Sequence, residues 1–207
     1  MSLEFIGSDD QLYRPVIAYD WLEYQSDVNP ENIAIVDLDS GKNFSYKEFN
    51  ERATRLANYF RNDLQINKSD RVAILAKNGN EYLEFYYACN KIGAISVLLN
   101  WRLTTSELEF IVNDSEPSLI VYDEEFSEQI DELVNLCSIA DKLKINRDST
   151  ENPFENVLAK SSPAPLHNHD EPLRLIDVQT IMYTSGTTGK PKGAMITYNT
   201  TFFNAVN

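Results

Sequence analysis

Basic residues are scarce in this chain: 18 Lys and Arg stand against 32 Asp and Glu, a formal charge of −14. A general nucleic-acid binder needs a net basic face to neutralise phosphates and release their counterions, so that class is excluded. Long apolar runs are missing too. The most apolar stretch, Ala94 to Leu99, has the length of a strand and contains Ser96, whereas a membrane-crossing helix needs about 18 to 20 apolar residues. The start, Met1-Ser2-Leu3-Glu4-Phe5, has neither the basic residues nor the apolar core of a signal peptide, so nothing in it directs export. Cysteine is limited to Cys89 and Cys137, both inside amphipathic patterns and not in a spaced framework. They read as reduced core thiols of a cytoplasmic protein, with a disulfide between them as the alternative. His167 and His169 have no Cys or third His nearby, which makes a poor ligand set for a metal and a good solvated loop.

The chain does have the material for a core. Of its 207 residues 43% are hydrophobic and 11% aromatic, beside 24% charged, the balance of a folded chain and not a disordered one. That length suits one large domain or two small ones.

Aromatic residues from Tyr19 to Tyr24 suggest a short helix. Ile33 to Leu38 and the segment at Phe44 flank the turn Asp39-Ser40-Gly41-Lys42, which predicts a hairpin. Ser45-Tyr46-Lys47-Glu48 has the form of a capping box. The helix it opens carries Phe49, Ala53, Leu56, Ala57 and Phe60 at helical spacing, one apolar stripe. From Arg71 onward strands and helices alternate: Val72 to Ala76, Asn80 to Ile92 closed by Gly93, then Ala94 to Leu99. A second capping box, Thr104 to Glu107, precedes a helix with its stripe at Leu108, Ile111 and Val112. Leu119 to Tyr122 follows as a strand, and then an acidic helix through Ile130, Leu133, Val134 and Cys137, whose charges form a solvated face. Short continuous apolar runs separated by helices are the pattern of a parallel sheet covered on both faces. Pro153, Pro163, Pro165 and Pro172 make residues 146 to 174 a loop-rich connection with no more than a turn or so of helix around Phe154 to Leu158. Val178 to Tyr183 and Ala194 to Thr197 read as strands, before an apolar segment at Thr201 to Val206.

Between those last strands runs Tyr183-Thr184-Ser185-Gly186-Thr187-Thr188-Gly189-Lys190-Pro191-Lys192-Gly193. Glycines let main-chain N–H groups approach phosphate oxygens, hydroxyls donate to them, and lysines offset their charge. A Walker A loop is disfavoured: Gly186 and Gly189 are three apart, Pro191 follows Lys190, and a strand follows the loop where that motif has a helix. A hydroxyl-rich hairpin turn with no ligand is the alternative, set against the length and order of the match.

The segment Tyr183 to Gly193 resembles the phosphate-binding signature of the adenylate-forming superfamily, which includes acyl-CoA synthetases, amino-acid adenylation domains and luciferase. Phe44 to Phe49 is similar to the segment opening that family's first long helix, and Asn90-Lys91-Ile92-Gly93-Ala94 to its helix-to-strand element. The resemblance spans about Tyr19 to Asn199. It implies a two-step reaction. A carboxylic acid attacks the α-phosphorus of ATP, with Mg2+ and lysine offsetting charge, and the acyl-adenylate then passes its acyl group to coenzyme A. The phosphate contacts it implies are Thr184, Ser185, Gly186, Thr187, Thr188, Gly189, Lys190 and Lys192, with Lys192 as the catalytic charge neutraliser and Gly189 and Gly193 permitting the loop to move. Leu98 to Leu103 followed by Glu107-Leu108 looks like the fatty-acyl and related acyl-CoA ligases, with amino-acid or aryl-acid activation as the alternative, and a non-catalytic phosphate-binding or interaction module as the reading of another class. Asn100, Trp101 and Arg102 either face a cofactor or fix the approach to a helix. Thr197-Tyr198-Asn199 departs from the family's Thr-His-x-Asn, with Tyr198 in the histidine place.

The fold that the resemblance implies is α/β: a mostly parallel sheet covered by helices, plus an incomplete second sheet, as in the large N-terminal domain of an acyl-CoA synthetase. Residues 1–70 would hold the helix and hairpin belonging to the second sheet, and 71–207 the α/β part ending in the loop. The family's Tyr-x-x-Thr-Glu segment, ribose-binding Asp, hinge and C-terminal domain with its catalytic Lys do not occur here. The expectation is an N-terminal portion that does not form acyl-adenylate alone, and that self-associates through the hairpin's unpaired edges.

Overall fold

The computed structural model describes residues 18–166, 172–184 and 191–206. Helix α1 (Trp21–Val28) starts at Asp20, whose Oδ1 accepts from the amides of Leu22 and Glu23. The expected hairpin follows as β1 (Ile33–Val36) and β2 (Asn43–Ser45), antiparallel and forming a sheet of their own. Both halves of the predicted capping box close on α2 (Tyr46–Asn58): the Glu48 amide donates to Ser45 Oγ at 3.2 Å, and the Ser45 amide to Glu48 Oε2 at 2.8 Å. Phe49, Ala53, Leu56, Ala57 and Phe60 are all buried, so the stripe faces the core as its spacing requires. Past Asn58 the helix widens into a π-turn, Tyr59–Asp63.

The main sheet has six strands in the order β6-β5-β3-β4-β7-β8. Its members are β3 (Arg71–Leu75), β4 (Ile95–Leu98), β5 (Leu119–Asp123), β6 (Asp141–Ile145), β7 (Val178–Thr184) and β8 (Lys192–Thr197). All neighbours run parallel except β7 and β8. Helices α3 (Asn80–Ile92), α4 (Thr105–Ser115), α5 (Ser127–Leu136), α6 (Pro153–Lys160) and α7 (Tyr198–Val206) complete the described fold. Alternate β3 residues serve the two faces, as period two demands: Val72 and Ile74 pack with α2, α3 and α6, and Ala73 and Leu75 with α4 and α5. The chain leaves β3 for one face and β5 for the other, which puts a topological switch point between these neighbours, where open α/β sheets bind ligands at their carboxyl ends.

Two features differ from the sequence reading. Strand β6 was not expected, because Asp-Lys-Leu-Lys-Ile buries only Leu143 and Ile145 and reads as polar. Helix α6 is eight residues long, where a turn was expected; Asn152 caps it and Pro153 occupies its first position, the one place where proline favours a helix. Cys89 and Cys137 are both buried and free. His167 and His169 lie outside the described residues. No described helix is long and apolar enough to cross a membrane.

Candidate functional site

Strand β7 runs to Thr184 at the carboxyl edge of the sheet, and β8 returns antiparallel from Lys192. Their register pairs Tyr183 with Gly193 and Thr184 with Lys192. Thr184 and Lys192 therefore face each other across the mouth of the hydroxyl-glycine segment, both exposed. Of the residues singled out from the sequence, Ser185, Gly186, Thr187, Thr188, Gly189 and Lys190 lie outside the described residues.

The arms of this hairpin are anchored. The Tyr183 hydroxyl donates to Asp114 Oδ2 on α4 at 2.6 Å. Burial, and after it the Asp114 carboxylate, pushes the Tyr183 phenol up, so the O–H stays a donor. One layer deeper, Ser96 Oγ on β4 lies 2.8 Å from Thr180 Oγ1 on β7 and donates to Gln179 O. Behind β8, the Tyr198 amide donates to Asp177 O at 3.2 Å. Its ring is buried, and burial pushes its phenol up. The Tyr198 hydroxyl turns back to Asn90 O, at 3.4 Å. The residue standing in the family's histidine place thus packs α7 against α3.

The carboxyl ends of β3, β4 and β5 supply a second group on the same edge. Across the switch point the Lys77 amide donates to Asp123 Oδ2 at 2.8 Å. Trp101 lies beneath two cations, Arg102 Cζ at 4.1 Å and Lys77 Nζ at 5.2 Å from its ring centre, and its ring packs on the α4–α5 side of the core. The Arg102 amide donates to Asn100 Oδ1, closing the turn that leads to α4. Of the two readings of Asn100 to Arg102, these contacts fit the fixing of the helix approach for Asn100; Arg102 is exposed, whereas Lys77 Nζ is held by Glu125 Oε2 at 2.6 Å.

A groove of about 860 Å3 opens elsewhere, between α1, α3 and α7; Trp21, Tyr86, Asn90, Tyr198 and Phe202 are among its lining residues. Sequence reasoning did not find it, because it joins segments far apart in the chain, and the motifs at Asn90 and Tyr198 do not by themselves announce a groove. Trp21 and Phe202 stack across it with ring centres 6.1 Å apart. Among the described residues no group of three or more His, Cys, Asp or Glu is arranged to hold a metal ion.

Comparison with known proteins agrees with this arrangement. Residues 22–207 match the family model described as AMP-binding enzyme. The chain is 32% identical over 188 residues to the 2-succinylbenzoate–CoA ligase of Geobacillus sp. (strain WCH70), covering 90% of this chain and 34% of that protein. It is 36% identical over 167 residues to the feruloyl-CoA synthase of Amycolatopsis sp, covering 81% and 31%. The solved structure of a Mycobacterium tuberculosis fatty acyl CoA synthetase superposes with a TM-score of 0.74 at 28% identity, over 86% of this chain and 34% of that one. The chain spans about a third of the length of the curated relatives it matches. With the parallel sheet, the antiparallel β7–β8 hairpin at its carboxyl edge and a family match over nearly the whole sequence, the chain belongs to the AMP-binding enzyme family.

Proposed function

We propose that this chain is the phosphate-holding part of an ATP-dependent acid–CoA ligase. The observation that carries the reading is the β7–β8 ladder, with Thr184 opposite Lys192 at the mouth of a segment rich in hydroxyls and glycine. In this proposal Thr184, Ser185, Thr187 and Thr188 donate hydroxyl protons to phosphate oxygens, and Gly186 and Gly189 let main-chain N–H groups approach. Lys190 and Lys192 bring positive charge into a chain of net charge −14. A carboxylate attacks the α-phosphorus of ATP, its bond to the β-phosphate oxygen breaks, and pyrophosphate leaves. The acyl-adenylate then passes its acyl group to the thiol of coenzyme A with release of AMP. Charge accumulates on the pyrophosphate as it leaves, so Lys192, with Mg2+ accompanying the substrate, stabilises the transition state more than the ground state.

The acid proposed is a fatty acid. This rests on the likeness of Leu98 to Leu103 to fatty-acyl ligases and is supported by the fatty acyl CoA synthetase among the structural neighbours. An aryl acid is the second reading, favoured by the succinylbenzoate and feruloyl relatives. A panel of fatty and aryl acids, offered with ATP and coenzyme A to the protein expressed from its complete gene, decides between them. Failure to activate any acid would remove the enzymatic reading and leave the phosphate-binding module. For the 207-residue chain itself we propose binding of Mg2+-triphosphate without acyl-adenylate formation. Calorimetry with inorganic triphosphate tests the first part, and pyrophosphate exchange above background would refute the second.

A further inference from the structure

We propose that Asp114 and Tyr183 form a latch that fixes the base of the phosphate-holding segment, with Gly193 leaving room for the tyrosine ring beside it. The proposal rests on the reading of that segment as a phosphate site and adds to it positioning residues outside the segment itself.

The geometry begins on α4, a well-anchored element whose Leu108, Ile111 and Val112 are buried against the sheet. Asp114, near its end, presents Oδ2 to the Tyr183 hydroxyl at 2.6 Å, the short distance of a bond to an ionised acceptor. To reach Asp114 the Tyr183 ring must pass over its cross-strand partner, residue 193. A Cβ there would lie 3.1 Å from Tyr183 Cζ and 3.3 Å from Cε1, with Ile181 Cγ2 at 3.0 Å on its other side. A Cβ at these distances would require the ring or Ile181 to give by a few tenths of an ångström, so glycine leaves the ring undisturbed. Because Tyr183 adjoins Thr184, and Thr184 pairs with Lys192, one side-chain hydrogen bond to a rigid helix sets the position of both arms. Holding the arms in advance lowers the ordering cost that an anionic ligand otherwise meets on binding.

The test measures affinity of the 207-residue chain for inorganic triphosphate with Mg2+ by calorimetry, in Tyr183→Phe, Asp114→Ala, Asp114→Asn and the double variant Tyr183→Phe/Asp114→Ala. Circular dichroism first establishes that each is folded. Both Asp114 variants lose the charge, but only asparagine keeps an acceptor for the tyrosine proton, so their comparison isolates the bond from anion repulsion. Loss of one exposed charge-assisted hydrogen bond should weaken affinity by about three- to tenfold in Tyr183→Phe, and Asp114→Ala should bind the probe weaker than Asp114→Asn by a similar factor. Asp114→Asn should show no such loss against the wild type, and the double variant should be no weaker than Tyr183→Phe alone, since both changes remove one bond. Equal affinity of Asp114→Ala and Asp114→Asn, or additive losses in the double variant, would overturn the latch. If the wild-type chain binds no triphosphate, the functional reading fails while the latch is still judged. Hydrogen exchange at the Gly193 and Ala194 amides must then quicken in Tyr183→Phe relative to wild type, and unchanged exchange overturns it.

Discussion

Arg52 on α2 grips Glu84 on α3 with two bonds, Nε to Oε1 at 2.6 Å and Nη2 to Oε2 at 3.1 Å. The same guanidinium reaches Glu155 on α6, also at 2.6 Å, so three helices meet at one cation. Glu84 is fully buried. Burial pushes its carboxyl up, against the opposing pull of Arg52 and the Asn80 amide. Replacing Arg52 by leucine would leave that carboxyl without its cation, a change that costs about 3 to 5 kcal/mol. The variant should also acquire a new pH dependence. A carboxyl whose folded value lies further above its unfolded one contributes stability below the unfolded value and loses it as pH rises through the folded value. Urea denaturation should find Arg52→Leu closest to wild type near pH 4.5 and furthest from it near pH 8. A loss below about 1 kcal/mol at both would show the network to be incidental.

Asp177 has the opposite sign. Burial would raise its carboxyl, but hydrogen bonds from Lys68 Nζ and from the Arg174 amide and guanidinium outweigh that and hold it below the ordinary value of 3.8. A carboxylate depressed in this way contributes stability that is present above its unfolded value and is lost as pH falls through the folded one. Asp177→Asn should therefore cost about 1 kcal/mol at pH 7, with the gap closing as pH falls below the ordinary value. Thermal denaturation of both proteins across that range checks it, and a gap that stays constant with pH would mean that the carboxylate's charge contributes nothing.

These ion pairs illustrate what sequence can and cannot convey. Ser45 with Glu48, and Thr104 with Glu107, act within one turn, so their spacing alone announces them; the first box closes in both halves, and in the second the Thr104 amide donates to Glu107 Oε2 at 2.8 Å. The stripe from Phe49 to Phe60 and the strand-helix alternation from Val72 were legible for the same reason, because a period names the face that is buried. Arg52 and Glu155 are 103 residues apart, and the groove between α1 and α7 joins the two ends of the described chain; no local period encodes either. Strand β6 was obscured because its lysines sit on an edge strand, where charge blunts pairing with other chains. Of the phosphate segment, its residue types were legible at once, whereas the Asp114–Tyr183 bond that holds its base depends on packing between α4 and β7.

Gly93 closes α3 in the left-handed region, at φ +71°. A Cβ there would meet Leu173 Cδ2 at 2.4 Å, the movable end of a side chain. The backbone strain is the harder cost, since L-residues reach this region at about 1 to 2 kcal/mol. Gly93→Ala should lose that much or slightly more in urea denaturation. Gly93→Asn should lose less, because asparagine tolerates the left-handed region better. Equal losses would point to the Leu173 contact as the dominant cost.

The hairpin leaves Ile33, Val36 and Leu38 exposed, Leu38 at 88%. We expect these side chains to drive association of the chain with itself at high concentration, opposed by its net charge of −14. Sedimentation should then show mass rising with concentration and with salt, as screening weakens the repulsion. Leu38→Asp should abolish the rise, whereas a wild-type chain that stays monomeric throughout would dispose of this surface as an interface.

Lys192 begins β8 at the end of the ladder and is exposed. Lys192→Ala should therefore change stability by no more than about 0.5 kcal/mol, as surface replacements generally do. Its effect on a polyanion should be larger, because the charge faces Thr184 at the mouth of the segment. Loss of one cation near a triphosphate corresponds to about 1 to 2 kcal/mol, a five- to thirtyfold weaker affinity at low salt. Screening separates this from a general loosening of the hairpin: wild-type affinity should fall faster with salt than that of the variant, so the two titration curves converge. Parallel curves would mean that Lys192 acts on the loop's conformation and not on the phosphate, and a variant that binds as tightly as wild type at low salt would remove Lys192 from the site.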